Sequence, residues 1–237
     1  MKKFKFWAIA VVVLMVAAST LAFAACTDPE DNDPPGVKTY TFEAEGVDLS
    51  GLHSFGYSIN YNETDLIIGK TTPGFSTTVA NSLSNGYCVA YLNTHDEEGI
   101  SLKFNITADV ASTDNVLILR LGTEYGTLNI TPNDMDIIVN GTALQYDTIN
   151  VVGENLTSVT QWHGYAVPFA DYTVSAKFDL KAGENTIVLK VKENSLGFAD
   201  DNMLNSVGPG VDCIKIKSTS TLTWESLWED NKLEAGL

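Results

Sequence analysis

Beyond residue 39 the apolar positions of this chain recur mostly with a period of two. In Ile100–Ile106 the residues Ile100, Leu102, Phe104 and Ile106 fall on one side, with Ser101, Lys103 and Asn105 on the other. Successive side chains of a strand point to opposite faces, so this pattern predicts a strand with one buried face. Val174, Ala176, Phe178 and Leu180 repeat it, Ala182-Gly183-Glu184-Asn185 reads as a turn, and Thr186–Val191 as the returning strand. Val116–Leu121 is a nearly continuous apolar run, which suits a strand covered on both faces. Asp136–Val139 runs into Asn140-Gly141, a strong hairpin turn, and Thr142–Tyr146 returns from it. With a strand at each end of the domain, the pattern predicts about ten strands and no long helix. The expected fold is all-β, a jelly-roll β-sandwich of antiparallel strands. Thr223–Leu233 is the exception: Trp224, Leu227 and Trp228 would share one face of a short helix, or lie on an extended tail that packs two tryptophans on the sandwich.

The pattern changes before residue 39. Lys2, Lys3 and Lys5 precede an apolar stretch, Phe6–Leu21, followed by Phe23-Ala24-Ala25-Cys26. Short apolar length and small residues at its end mark a secretory signal and not a spanning helix. Two cuts fit. One makes Cys26 the lipidated first residue of a bacterial lipoprotein, and the other uses Ala22-Phe23-Ala24 as an ordinary signal-peptidase site. The first predicts an extracytoplasmic, membrane-anchored protein, the second a secreted one. Thr27–Lys38, with three prolines, a glycine and four acids, has too little apolar surface to pack and reads as a flexible tether. The expected organisation is thus a signal peptide over 1–25, a lipidated cysteine and acidic tether over 26–38, one sandwich domain over 39–218, and a tail or short helix over 219–237.

Charge narrows the partners. Setting aside Lys2, Lys3 and Lys5 leaves eleven of the fourteen basic residues against thirty acidic ones, a formal charge of −19. So acidic a protein is poorly suited to nucleic acid or anionic lipid, and well suited to cations. A hydrophobic content of 44% is enough for a packed domain. Of the three cysteines, Cys88 and Cys213 sit inside apolar strand patterns, where they would either pair outside the cell or act as small buried hydrophobes. Asn-x-Thr tripeptides at Asn62, Asn105, Asn129, Asn140 and Asn155 read as accidents of a Thr-rich strand composition.

Two acids open the domain, Glu43 and Glu45 in Tyr40-Thr41-Phe42-Glu43-Ala44-Glu45-Gly46. In a strand they would project to the same face. Asp212, in Val211-Asp212-Cys213-Ile214-Lys215-Ile216, begins what reads as the last strand. If the first and last strands are neighbours, three carboxylates converge, and such a group repels itself unless a hard, oxygen-seeking cation such as calcium lies between them. The plainer reading is three solvated acids on an acidic protein.

The Glu-Ala-Glu opening and the aspartate followed by alternating apolar residues resemble carbohydrate-binding modules of families six and thirty-five. Gly86-Tyr87-Cys88-Val89-Ala90-Tyr91-Leu92 is similar to the family's early strand carrying a binding-site aromatic. Val116–Leu121, with Arg120, resembles a strand whose pattern ends in arginine, and Leu180-Lys181-Ala182-Gly183-Glu184-Asn185-Thr186-Ile187 resembles a characteristic turn. The likeness spans roughly 39–218. It implies a jelly roll with its ends together, structural calcium on Glu43, Glu45 and Asp212, and a sugar platform made of Tyr91 and of Trp162 in Thr160-Gln161-Trp162. Where the family places an asparagine two positions before the aspartate, this chain has Gly210, so Asn202 or Asn205 in the enlarged 197–210 loop would have to substitute.

Catalytic patterns are thin. His53, His95 and His163 have no second ligand at metal spacing, and no Gly-x-Ser-x-Gly, His-Glu-x-x-His or phosphate loop occurs. Acid pairs such as Glu97-Glu98 and Asp200-Asp201 fit no hydrolase pattern. The sequence therefore predicts a non-catalytic surface lipoprotein binding a polysaccharide or other glycan, touching the membrane through its lipid alone, with any glycoside hydrolase a separate chain. The alternative is an interaction or scaffold protein that uses the same sandwich, against other surface proteins, with no sugar ligand.

Overall fold

A computed structural model of the chain describes residues 34–49, 65–68, 83–84, 87–90, 101–122, 127–152, 169–192 and 209–235. All belong to one compact unit, Asn32–Leu237. Its strands are β1 (Lys38–Glu43), β2 (Asp65–Ile68), β3 (Tyr87–Ala90), β4 (Ser101–Ala108), β5 (Ser112–Gly122), β6 (Leu128–Ile130) and β7 (Met135–Val139). They continue with β8 (Thr142–Ala143), β9 (Ile149–Val151), β10 (Ala170–Leu180), β11 (Gly183–Val191), β12 (Gly210–Ser218) and β13 (Leu222–Trp224), and a helix α1 (Trp228–Ala235) follows. One antiparallel sheet has the order β10-β5-β12-β3-β2, with β1 also on β12, and a second has the order β13-β4-β11-β7-β8. A small ribbon pairs β6 with β9. The all-β sandwich expected from the pattern is the fold.

Strand period explains which residues meet. Along β4, Leu102, Phe104, Ile106 and Ala108 are buried while their neighbours are exposed. β5 lies between β10 and β12, and its Leu117, Leu119 and Leu121 face the core with Phe42, Ile137, Ile187, Ile214 and Ile216. Each large side chain buried in this way contributes about 1.5–3 kcal/mol. Its opposite face carries Val116, Ile118 and Arg120, of which Ile118 is nearly buried, so the apolar run is covered on one side and largely covered on the other.

The turns are built from side chains as well as backbone. Asn140 and Gly141 both have positive φ, 49° and 83°, the geometry of a tight hairpin between β7 and β8. The Asn140 side chain then crosses to the next turn, donating to Asn185 Oδ1 at 2.8 Å and accepting from the Thr186 backbone N–H at 3.0 Å. Buried Asn185 closes its own turn, donating to the carbonyls of Lys181 and Gly183 and accepting from the Lys181 N–H. The Ala-Gly-Glu-Asn-Thr-Ile motif is thus a structural device that ties the β7–β8 hairpin to the turn by which the chain crosses from β10 in one sheet to β11 in the other, so Thr186–Val191 does not return alongside β10.

One expectation about the ends is corrected. The strand holding Asp212 is not the last, because β13 follows and pairs with β4. The segment after Ser218 is both strand and helix, and it belongs to the sandwich: Trp224 meets Phe42 edge-on, with ring centres 5.6 Å apart.

Candidate functional site

β1 and β12 run antiparallel side by side, with Glu43 opposite Cys213. Cys213 in turn faces Arg120 on β5, and Arg120 faces Asp171 on β10. One rung across four strands therefore reads Glu43, Cys213, Arg120, Asp171. It lies on the sheet face turned away from the core, since Leu119 and Leu121 flank Arg120 inward.

Asp212 joins this rung through an irregularity. Val211 is opposite Leu121 and Cys213 opposite Arg120, so Asp212 is an extra residue in its strand. Bulges of this kind redirect a side chain. Here the carboxylate is fully buried, and its Oδ2 accepts from Arg120 Nε at 2.9 Å. Ser84 supplies the rest: its backbone N–H lies 3.0 Å from Asp212 Oδ2, and its hydroxyl 2.9 Å from Oδ1. The same hydroxyl is 2.5 Å from Glu43 Oε2. Arg120 also donates through Nη1 to Asp171 Oδ1 at 2.8 Å, and Lys215 Nζ donates to Asp171 Oδ2 at 2.7 Å.

Protonation follows from this geometry. One serine hydroxyl carries one hydrogen and cannot donate to two carboxylates at once. Burial raises Glu43 to about 7, and the Asp212 charge adds to that, although the Ser84 hydroxyl opposes it. Burial likewise raises Asp212 to about 6, held down by Ser84 and Arg120. With Glu43 neutral and able to donate to Ser84, the acids Asp212 and Asp171 are balanced by Arg120 and Lys215. Burial also works against ionised Asp171, yet Lys215 and Arg120 hold it below the usual carboxylate range.

The two glutamates do not lie on one strand. β1 ends at Glu43, and Ala44–Gly46 forms a 3-10 turn that carries Glu45 wholly inside. The cause is distant in sequence. The Leu227 N–H donates to the Gly46 carbonyl at 2.8 Å, and Asn231 Nδ2 donates to the carbonyls of Glu45 and Val47 at 2.7 and 2.8 Å. Gly46 has to be glycine, because a Cβ there would collide with Ser226 Oγ and the Trp224 ring.

Calcium on Glu43, Glu45 and Asp212 stays an expectation: Glu43 and Asp212 meet where β1 pairs with β12, Glu45 is buried in the turn that follows, and the loop after that turn lies outside the described residues. A guanidinium and a serine N–H occupy Asp212, and among the described residues no three His, Cys, Asp or Glu side chains are gathered so as to hold a metal ion. Cys88 and Cys213 are buried free thiols. Burial pushes both far above their ordinary value, with the Asp212 charge adding to it in each and Glu45 in Cys88. Tyr91, Trp162, Asn202, Asn205 and Cys26, and all three histidines, lie outside the described residues.

Ser84, Asp171, Lys215 and Asn231 carry no sequence signal for these roles. Arg120 had one, being the single charge within Val116–Leu121.

No protein-family model and no curated protein matches this chain. Among solved structures it is similar to a family 35 carbohydrate binding module from Clostridium thermocellum, with a TM-score of 0.41 and 16% identity over 76% of this chain and 97% of that one. It is also similar to a family 35 module from an environmental isolate, with a TM-score of 0.42 and 15% identity over 79% and 98% of the two chains. A family 35 module from Paenibacillus barcinonensis has a TM-score of 0.39 and 18% identity over 78% and 98%. The likeness is one of fold, and the chemistry is read from this chain's own residues.

Proposed function

We propose that this protein is an extracytoplasmic, non-catalytic domain that binds a glycan, held to a membrane by lipid on Cys26. The observation that carries the reading is the pairing of β1 with β12, which puts the Glu-Ala-Glu opening beside Asp212, together with the Leu180–Ile187 turn where the chain crosses from β10 to β11. These are the positions that the motif resemblance requires of a carbohydrate-binding module.

In this reading the glycan stacks on Trp162 and Tyr91, with Asn202 or Asn205 bonding its hydroxyls. Sugars present apolar C–H faces, so an aromatic platform with nearby amides suits them. Each stacked aromatic contributes on the order of 1 kcal/mol, so one site binds a single sugar weakly, roughly millimolar to tens of micromolar. Many anchored copies on one surface gain avidity for a polymer.

The test is a glycan array probed with the purified chain and with Trp162→Ala. Binding to a defined glycan class that the substitution abolishes supports the proposal. If the chain binds no glycan, or binds equally well without Trp162, the platform falls, and the sandwich is better read as a scaffold for protein partners.

A further inference from the structure

We propose that the C-terminal segment is a latch with a fixed anchor, β13, and a releasable arm, residues 227–235. Docked, the arm holds the turn after β1 and partly covers Tyr87; released, it frees both without unfolding the sheets. The segment lies beyond the stretch of family likeness, so the latch is this chain's own addition to the sandwich.

Anchor and arm are held differently. β13 pairs with β4 over Leu222, Thr223 and Trp224. Leu222 is buried, and the Trp224 ring lies against Phe42 and Phe104, with ring centres 5.6 and 6.3 Å away. Glu225 and Ser226, which follow, are exposed and form the joint. The arm is held by polar groups and a ring. The Leu227 N–H donates to the Gly46 carbonyl, the Asn231 amide donates to the carbonyls of Glu45 and Val47, and the Trp228 ring lies 4.5 Å from that of Tyr87 on β3. Along 228–231 the buried residue is Asn231, while Trp228 is half-buried and Glu229 and Asp230 are exposed. An arm whose first turn buries so little apolar surface opens at a lower free energy than the core.

Arm and turn depend on each other. α1 has eight residues, and a helix needs about twelve to persist alone in water, so it is helical only while docked. The turn's own closing bond, from the Val47 N–H to the Ala44 carbonyl, is long at 3.3 Å. Opening therefore takes arm and turn together. What the latch controls is Tyr87, which begins β3 in the stretch 86–92 that resembles the family's aromatic-bearing strand.

Native-state hydrogen exchange on the wild-type chain, followed residue by residue in rising urea, is the test. The amides of Val47, Leu227 and Asn231 should share one opening that depends weakly on urea and runs at least about 100-fold above that of β5 and β12. Asn231→Ala should lower the protection of Val47 and Leu227 by about 30- to 100-fold, as two lost hydrogen bonds imply, while β5 and β12 stay folded. Nitration of Tyr87 by tetranitromethane, read by peptide mass, should rise with that loss.

Exchange of these three amides only when the sheets unfold, or at rates unrelated to one another, would overturn the proposal. So would an Asn231→Ala chain that loses the sheets as well, or one whose Tyr87 is nitrated no faster than in the wild type.

Discussion

The side-chain amide of Asn231 donates to the backbone carbonyl of Glu45 at 2.7 Å, joining residues 186 positions apart. It reaches the Val47 carbonyl with its other hydrogen at 2.8 Å. One amide thus serves both ends of the turn that takes Glu45 into the interior. Asn231→Ala would leave two carbonyls without this donor, and should cost about 2–3 kcal/mol. Urea unfolding measures it, and a midpoint within error of the wild type would show that the C-terminal helix is a passive appendage.

Gly46 sits beneath Trp224 and Ser226 with no room for a side chain. Gly46→Ala should destabilise by about 1–3 kcal/mol, the range of an overpacked core. Pairing it with Ser226→Ala removes only one of the two collisions, so recovery should be partial. Full recovery would mean that the Trp224 ring moves aside freely.

Stability should fall as pH rises between about 4 and 7. Glu43 and Asp212 titrate near 7 and 6 in the folded chain against ordinary values of 4.5 and 3.8, so the native state binds more protons than the unfolded one across that window. Below the unfolded values both states are protonated, and above about 7 both are ionised, so the slope vanishes at either end. The combined loss is on the order of 2–4 kcal/mol after allowance for solvent screening. Glu43→Gln should flatten the upper part of the curve. A slope unchanged in that variant would place the titration elsewhere.

Cys88 and Cys213 are fully buried thiols. In a Cys26→Ser chain, a thiol reagent should label neither under native conditions and both in denaturant, since only the accessible thiolate reacts. Melting midpoints with and without reductant should coincide. Rapid native labelling would mean that this face of the sheet opens.

Several features follow from neighbours a few residues apart and are legible in the chain itself. The alternation of Leu102, Phe104 and Ile106 specifies a strand with one wet face, because pleat period is local. Asn140-Gly141 specifies the β7–β8 turn, because its residues tolerate positive φ. The Glu43 and Asp212 patterns marked the two strands that meet.

Other features depend on groups that the chain brings together from far away. Glu45 leaves its strand because Leu227 and Asn231 claim the backbone around it. Asp212 turns toward Arg120 because the β5–β12 register slips by one residue there, and register is decided by the summed contacts of whole strands. The choice of Ser84 and Arg120 as its partners follows from that slip. Period and turn chemistry are short-range steric properties that a sequence carries residue by residue. The counter-charge of a buried acid is settled only when distant strands dock, because the cost of burial arises at that moment and the nearest suitable cation must meet it.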